Sequence, residues 1–240
     1  MSKVALVTGG TRGIGAAISV CLKEAGYTVA ATYAGNDVAA AEFSDATGIQ
    51  VYKWDVGDFD ACAAGVEQVE QGLGNVEILV NNAGITRDSS FSRMTKDMWD
   101  AVMDTNLTSN FNMCKATFDK MKANKFGRII CISSINGQKG QIGQVNYSAA
   151  KAGVIGFVKA LAQEGARHGI TVNAIAPGYI ATEMVMAVPD EILAKIVKGI
   201  PVGRLGEAVE IGRAVAFLAA DDAGFTTGST LTINGGQYIT

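Results

Sequence analysis

One histidine, His168, occurs in 240 residues. That excludes a histidine-built metal centre and leaves any Ser-His-Asp triad dependent on a single ring. His168 stands between Arg167 and Gly169 at an expected helix end, where a cation suits the negative end of the helix dipole. Prolines number three, so despite 29 glycines the chain is neither collagen-like nor low-complexity. The four cysteines, Cys21, Cys62, Cys114 and Cys131, show no CxxC or metal-ligand spacing. They read as small buried hydrophobes of a protein kept reduced in the cytoplasm, and no metal is expected. No apolar run reaches the roughly 18 residues of a membrane span, and Met1-Ser2-Lys3 leads directly into a strand, so no leader is expected. Basic and acidic residues number 20 and 23, for a net charge of −3 without a basic run. Nucleic acid and anionic membrane are therefore not expected partners.

What the chain has is a regular alternation of short apolar runs with helical periods. Strand patterns fall at 3–8, 28–33, 50–54, 77–80, 128–132, 170–176 and 230–233. Helical patterns occupy the stretch after the first strand up to Gly26, then 37–48, 58–73, 96–124, 147–168 and 207–220. The length suits one domain. The order predicts an α/β fold: a single-domain, Rossmann-type, doubly wound sheet of seven mostly parallel strands, with helices on both faces. Residues 184–204 lack a clean period and contain Pro189 and Pro201. They read as a mobile substrate lid, with a short helix at 190–199.

The first strand runs into Thr8-Gly9-Gly10-Thr11-Arg12-Gly13-Ile14-Gly15 and then a helix and a second strand. Glycines at this position permit a tight turn and let a diphosphate approach the backbone, while the helix start supplies N–H donors. The end of the second strand, Tyr33-Ala34-Gly35-Asn36, has no carboxylate before Asp37 to bond the two ribose hydroxyls of NAD. Arg12 could pair with a 2′-phosphate, so NADP(H) is the expected cofactor. Asp55, at the end of the third strand, could accept from an adenine amino group or cap the helix that follows. Asn81-Asn82-Ala83-Gly84 suits a turn passing close to the cofactor ribose, and residues 85–93 read as an exposed loop over the pocket mouth. Asn106 interrupts an otherwise apolar helical neighbourhood and needs either a helix–helix hydrogen bond or a role in the site.

The chemistry concentrates between the fifth strand and the following helix. Tyr147 and Lys151, four apart, share one helix face. An ammonium beside a phenol favours the phenolate, lowering a pKa that is ordinarily about 10. A hydroxyl from Ser133 or Ser134 could face the same pocket. Between them lies an expected loop rich in Gly, Gln and Asn.

These residues together resemble the short-chain dehydrogenase/reductase family along essentially the whole chain: the glycine turn, Asp55-Val56, Asn81 to Gly84, Asn106, Ser134, Tyr147, Lys151 and Pro177-Gly178. The resemblance implies Ser134 rather than Ser133 as the hydroxyl that meets the substrate carbonyl, Tyr147 as general acid, and Lys151 as the residue that lowers the phenol's pKa and binds the nicotinamide ribose. It implies that Asn106 holds a water leading to solvent. It implies that Gly9, Thr11, Arg12, Gly13, Ile14, Gly15, Tyr33, Asp55, Val56, Asn82, Ala83, Gly84, Tyr147, Lys151, Pro177, Gly178, Ile180 and Thr182 hold NADPH or NADP+. Asn234 stands where many relatives carry Asp. Within the family, residues 82–88, 136–147 and 177–184 resemble the acetoacetyl-CoA reductases of polyhydroxybutyrate synthesis. By that resemblance Asp88, Gln141, Ile142, Gln144 and Tyr179 would contact the acyl-CoA thioester, acetoacetyl-CoA. Ile142 replaces an expected aromatic residue. Relatives are usually tetramers, so a homotetramer is expected. Reduction of 3-oxoacyl-carrier-protein thioesters is the nearest alternative, with Lys125, Arg128 and Arg167 as a possible basic rim. A sugar, steroid or polyol dehydrogenase and a non-catalytic NADP-binding regulator stand further off.

Overall fold

In the computed structural model, which describes residues 2–239 and all side chains among them but that of Met184, seven strands pair in the order β3-β2-β1-β4-β5-β6-β7. They are β1 (Val4–Val7), β2 (Thr28–Tyr33), β3 (Gln50–Lys53), β4 (Val76–Asn81), β5 (Gly127–Ile132), β6 (Ile170–Pro177) and β7 (Thr230–Ile233). Every pairing is parallel, so the expected "mostly parallel" sheet is parallel throughout.

Period-two alternation along the strands sorts the core into two layers. Leu6, Leu79, Ile129 and Val172 face Val66, Met113, Val154 and Val158. These come from α3 (Phe59–Leu73), α5 (Ser109–Asn124) and α7 (Val145–Gly165). Val7, Ile78, Ile130 and Ile175 face Ile18, Leu22, Ile211 and Val215, from α1 (Gly13–Glu24) and α10 (Ala208–Ala219), which pack together. Burial on both faces is what the near-continuous Val/Ile/Leu runs of these strands require. α2 (Asp37–Thr47) adds Phe43 to the second layer and ends at Gly48, whose φ of 64° suits glycine.

Two stretches differ from expectation. The long 96–124 helix is α4 (Lys96–Met103), a π-helical turn at Asp104–Thr108, and α5; Asn106 sits buried in that turn. The Gly/Gln/Asn loop contains a short helix, α6 (Ile135–Lys139), capped by the Ser134 side chain. Beyond β6, the 184–204 region carries α8 (Glu183–Met186) and α9 (Asp190–Lys198), and no residue of α9 is buried.

The sheet order reverses between β1 and β4. The loops leaving the C-terminal ends of those strands therefore diverge to opposite faces and open a crevice, where ligands bind in folds of this kind.

Candidate active site

The glycine turn shapes one side of the crevice. Gly9 and Gly13 hold φ values of 60° and 50°, a region other residues resist. A Cβ at Gly15 would overlap the Gly9 carbonyl oxygen and lie 2.5 Å from Asn82 Nδ2. The turn is tied to the β4 end: Thr8 Oγ1 accepts from the Asn82 and Ala83 N–H groups at 2.9 and 3.0 Å. Asn82 Nδ2 donates to the Thr8 and Gly9 carbonyls at 2.9 and 3.1 Å. Thr11 is buried, Ile14 half-buried and Arg12 exposed. No side chain caps α1, so its first N–H groups are free to bind an anion. Thr182 approaches from the far side, 3.5 Å from where a Gly13 Cβ would stand, and Ile180 is buried where it bridges Gly206. Gly178 follows Pro177 against Asn234, leaving no room for a Cβ. The Asn234 amide donates to Tyr238 O at 2.7 Å and accepts from Gly236 N–H at 3.0 Å. An Asp there could not make the first bond. An open helix start and a glycine turn with no room for a side chain at Gly15 fit a dinucleotide diphosphate.

At the β2 end, Tyr33 is half-buried beside its register partner Lys53. Lys53 Nζ lies 2.9 Å from Asp37 Oδ1. Lys53, and then the Tyr33 hydroxyl, hold the Asp37 carboxyl below its ordinary pKa. The first carboxylate after β2 is thus already occupied by a cation. Sequence reading overlooked Lys53; the strand pattern at 50–54, set in parallel beside 28–33, was the available signal. Asp55 does not cap α3. Asp58 does, accepting from Ala61 N–H at 2.9 Å, while Asp55 closes a turn onto Gly57 N–H at 2.8 Å. Val56 is buried.

The reacting end lies between β5 and α7. Ser133 Oγ donates to the Lys151 carbonyl at 2.7 Å, a purely structural use. Ser134 Oγ accepts from the Asn136 N–H at 3.1 Å, so its own proton remains available to a partner in the pocket. Lys151 Nζ is 5.8 Å from the Tyr147 ring centroid and donates to the Ile132 carbonyl at 2.7 Å. A Cβ on Gly84 would lie 3.5 Å from Lys151 Nζ and 2.5 Å from Asn106 Oδ1, so the glycine leaves room for both side chains. Burial weakens the Lys151 ammonium to a pKa of about 8. Tyr147 corrects the expectation of a lowered phenol pKa. Although it remains partly accessible, burial raises its pKa above the ordinary 10, the Ser134 hydroxyl opposes that rise, and the Asp88 charge adds to it. Asn106 is fully committed to backbone: Nδ2 donates to the Ile85 and Val102 carbonyls at 2.8 and 3.0 Å, and Oδ1 accepts from Ile85 N–H at 3.0 Å. Its carbonyl accepts from Asn110 Nδ2 at 3.0 Å. The side chain thus pins the loop after β4.

On the substrate side, Gln144 Nε2 donates to Asp88 Oδ2 at 2.8 Å, and Asn136 Nδ2 donates to Gln144 Oε1 at 2.9 Å. Asn136 was not singled out from sequence, since nothing in its neighbours marks it. Gln141 is exposed, and Ile142 is 97% exposed. Tyr179 lines a cavity of about 100 Å³ with Ile180, Ile200, Val202, Arg204 and Glu210. Arg128 is not on a basic rim. It is buried, and its guanidinium donates to the Ala220, Asp221, Gly127 and Gly169 carbonyls. All four cysteines are buried and unbridged. Among the described residues no cluster of His, Cys, Asp and Glu could hold a metal, and no helix is long and apolar enough to cross a membrane.

Comparison with known proteins agrees with this geometry. A family profile described as enoyl-(acyl carrier protein) reductase matches residues 9–237. The acetoacetyl-CoA reductases of Shinella zoogloeoides and Rhizobium meliloti (strain 1021) are each similar at 64% identity over 240 residues, covering all of both chains. A 3-oxoacyl-(acyl-carrier-protein) reductase of Haemophilus influenzae is 48% identical over 245 residues, covering 99% of this chain and 98% of that one. The chain belongs to the short-chain dehydrogenase/reductase family of oxidoreductases.

Proposed function

We propose that this protein reduces acetoacetyl-CoA to (R)-3-hydroxybutyryl-CoA with NADPH, feeding polyhydroxybutyrate synthesis in the cytoplasm. The observation that carries it is the convergence of Ser134, Tyr147 and Lys151 at the crevice that the glycine turn opens. The relatives named acetoacetyl-CoA reductase support the substrate. Bound NADPH supplies a hydride to the 3-keto carbon. Tyr147 gives its phenolic proton to the oxygen of that carbonyl and regains one from solvent. A phenol whose pKa burial keeps high is protonated at neutral pH, as a general acid must be. Ser134 donates to the same oxygen as negative charge develops there, a contribution of about 10²–10³-fold for one such donor. Lys151, anchored by the Ile132 carbonyl, offers its remaining protons to the nicotinamide ribose. Asn106 holds Ile85, and so the loop bearing Asp88, over the pocket. NADPH rather than NADH is supported by exposed Arg12 and by the engagement of Asp37 with Lys53.

The chain acts as one domain, with residues 184–204 closing over the substrate, and assembles as a homotetramer. Exposed Phe111 on α5 suits the latter. Reduction of carrier-protein thioesters is the second reading, favoured by the 48% identical relative and weakened by the withdrawal of Arg128 from the rim. Initial rates of NADPH oxidation with acetoacetyl-CoA, acetoacetyl-carrier protein and the enoyl thioester crotonyl-CoA test the assignment. The greatest kcat/KM is expected for acetoacetyl-CoA; a greater one for either other substrate would replace the proposal.

A further inference from the structure

Three hydrogen bonds run in series from the surface to Ser134: Gln144 Nε2 to Asp88 Oδ2 at 2.8 Å, Asn136 Nδ2 to Gln144 Oε1 at 2.9 Å, and Asn136 N–H to Ser134 Oγ at 3.1 Å. Asp88 sets their direction. An ionised carboxylate only accepts, so Gln144 must turn its NH₂ toward Asp88 and its carbonyl oxygen toward Asn136. Asn136 must then present its own NH₂, and neither amide is free to flip. The bond from Ser89 N–H to Gly143 O, at 2.9 Å, straps the same two loops together. At the inner end, α6 is pressed onto α7 at the catalytic turn, since a Cβ on Gly137 would come within 2.6 Å of the Lys151 carbonyl carbon.

The Asn136 side chain is poorly explained by packing. It is buried, and its Oδ1 finds no partner among the described residues. Burying an unsatisfied amide oxygen opposes folding, so the use of this amide lies in its bond to Gln144. Its backbone N–H, meanwhile, occupies a lone pair of Ser134 Oγ and leaves that hydroxyl's single proton for the pocket.

We propose that Asn136 is a positioning residue for Ser134, and that the Asp88–Gln144–Asn136 relay transmits the placement of the thioester-side wall to the hydroxyl that meets the carbonyl oxygen. This rests on the function proposed above for Ser134 and for the 3-oxoacyl thioester. The relay makes the wall and the catalytic hydroxyl one mechanical unit, so residues that touch the acyl thioester influence kcat as well as KM.

The test is a double-mutant cycle of Asn136→Ala and Ser134→Ala, assayed with acetoacetyl-CoA and NADPH. Alanine keeps the backbone N–H at 136 and removes only the amide. Asn136→Ala should lower kcat about 10- to 100-fold, the range a misplacement of about 1 Å produces, while NADPH Kd by fluorescence titration is unchanged. In the Ser134→Ala background the same substitution should change kcat less than about twofold, because residues acting as a unit are not additive. Equal losses in both backgrounds would overturn the proposal. A second arm does not depend on turnover. Hydrogen exchange in peptides covering 135–144 should speed up in Asn136→Ala and in the surface variant Asp88→Ala, and exchange at the wild-type rate in both would overturn the relay. If wild-type protein reduces no 3-oxoacyl thioester, the proposed function fails, and the exchange arm still decides whether the relay exists.

Discussion

Replacing Lys151 by methionine should remove turnover and at the same time change how stability depends on pH. The lysine is 4% exposed and, among the described residues, donates to the Ile132 carbonyl alone. Its folded pKa of about 8 lies below the ordinary 10.5 of an unfolded chain. Between those values the folded state binds fewer protons than the unfolded one, so stability rises with pH across that window. Burying the ammonium at pH 7 opposes folding by about 3 kcal/mol, from roughly 1.36 kcal/mol per pKa unit. Most of this is relieved by pH 10. Methionine removes the charge but leaves the Ile132 carbonyl without its donor, at about 1–3 kcal/mol, so the two proteins should be close in stability at pH 7. The informative quantity is the difference between them, because every other titrating group is common to both. Urea unfolding at pH 7 and pH 10 should show the wild type gaining on the order of 2 kcal/mol relative to Lys151→Met. Parallel pH profiles for the two proteins would refute a buried, weakened ammonium at this position.

Gly15→Ala should raise NADPH Kd more than about tenfold, since the new methyl group meets the Gly9 carbonyl and Asn82 and overpacking is typically worth 1–3 kcal/mol. Calorimetric titration with unchanged affinity would count against the glycine turn as the diphosphate cradle. Lys53→Glu should place two carboxylates beside Tyr33 and shift the NADPH-to-NADH affinity ratio toward NADH by about tenfold, or 1.4 kcal/mol. A constant ratio in fluorescence titrations would remove Lys53 from cofactor choice. Arg128→Met should lower stability by about 3 kcal/mol or more by stranding four carbonyls, with kcat per folded molecule unaltered. Urea melts with coincident midpoints would contradict its structural use.

Much of the fold was legible because parallel strands buried on both faces must be continuously apolar. The 28–33 and 230–233 patterns coincide with β2 and β7. The interruption at Asn106 was visible too, although its form, a π-helical turn holding Ile85, needs three-dimensional partners. α6 was hidden because Gly137 and the polar Asn and Gln side chains imitate a loop; that glycine is there for close approach to α7. Arg128 looked like a surface charge because, beyond the neighbouring Gly127 carbonyl, nothing local announces the Gly169 carbonyl just before β6 and the Ala220 and Asp221 carbonyls just after α10. The direction of the Tyr147 shift was missed for a related reason. A neighbouring lysine can be read from spacing, whereas the depth at which Tyr147 sits cannot, and here burial, opposed by the Ser134 hydroxyl, sets the direction.

The most direct measurement is single-turnover and steady-state reduction of acetoacetyl-CoA by NADPH in the wild type and in Tyr147→Phe, with NADPH Kd determined for both. The wild type should form the (R)-3-hydroxy product. Tyr147→Phe should bind NADPH as well and lose at least about 10²-fold in kcat, the lower end for a positioned proton donor. Near-normal turnover by Tyr147→Phe, or a wild type that leaves the 3-keto group intact, would contradict proton donation by Tyr147 to the reduced carbonyl.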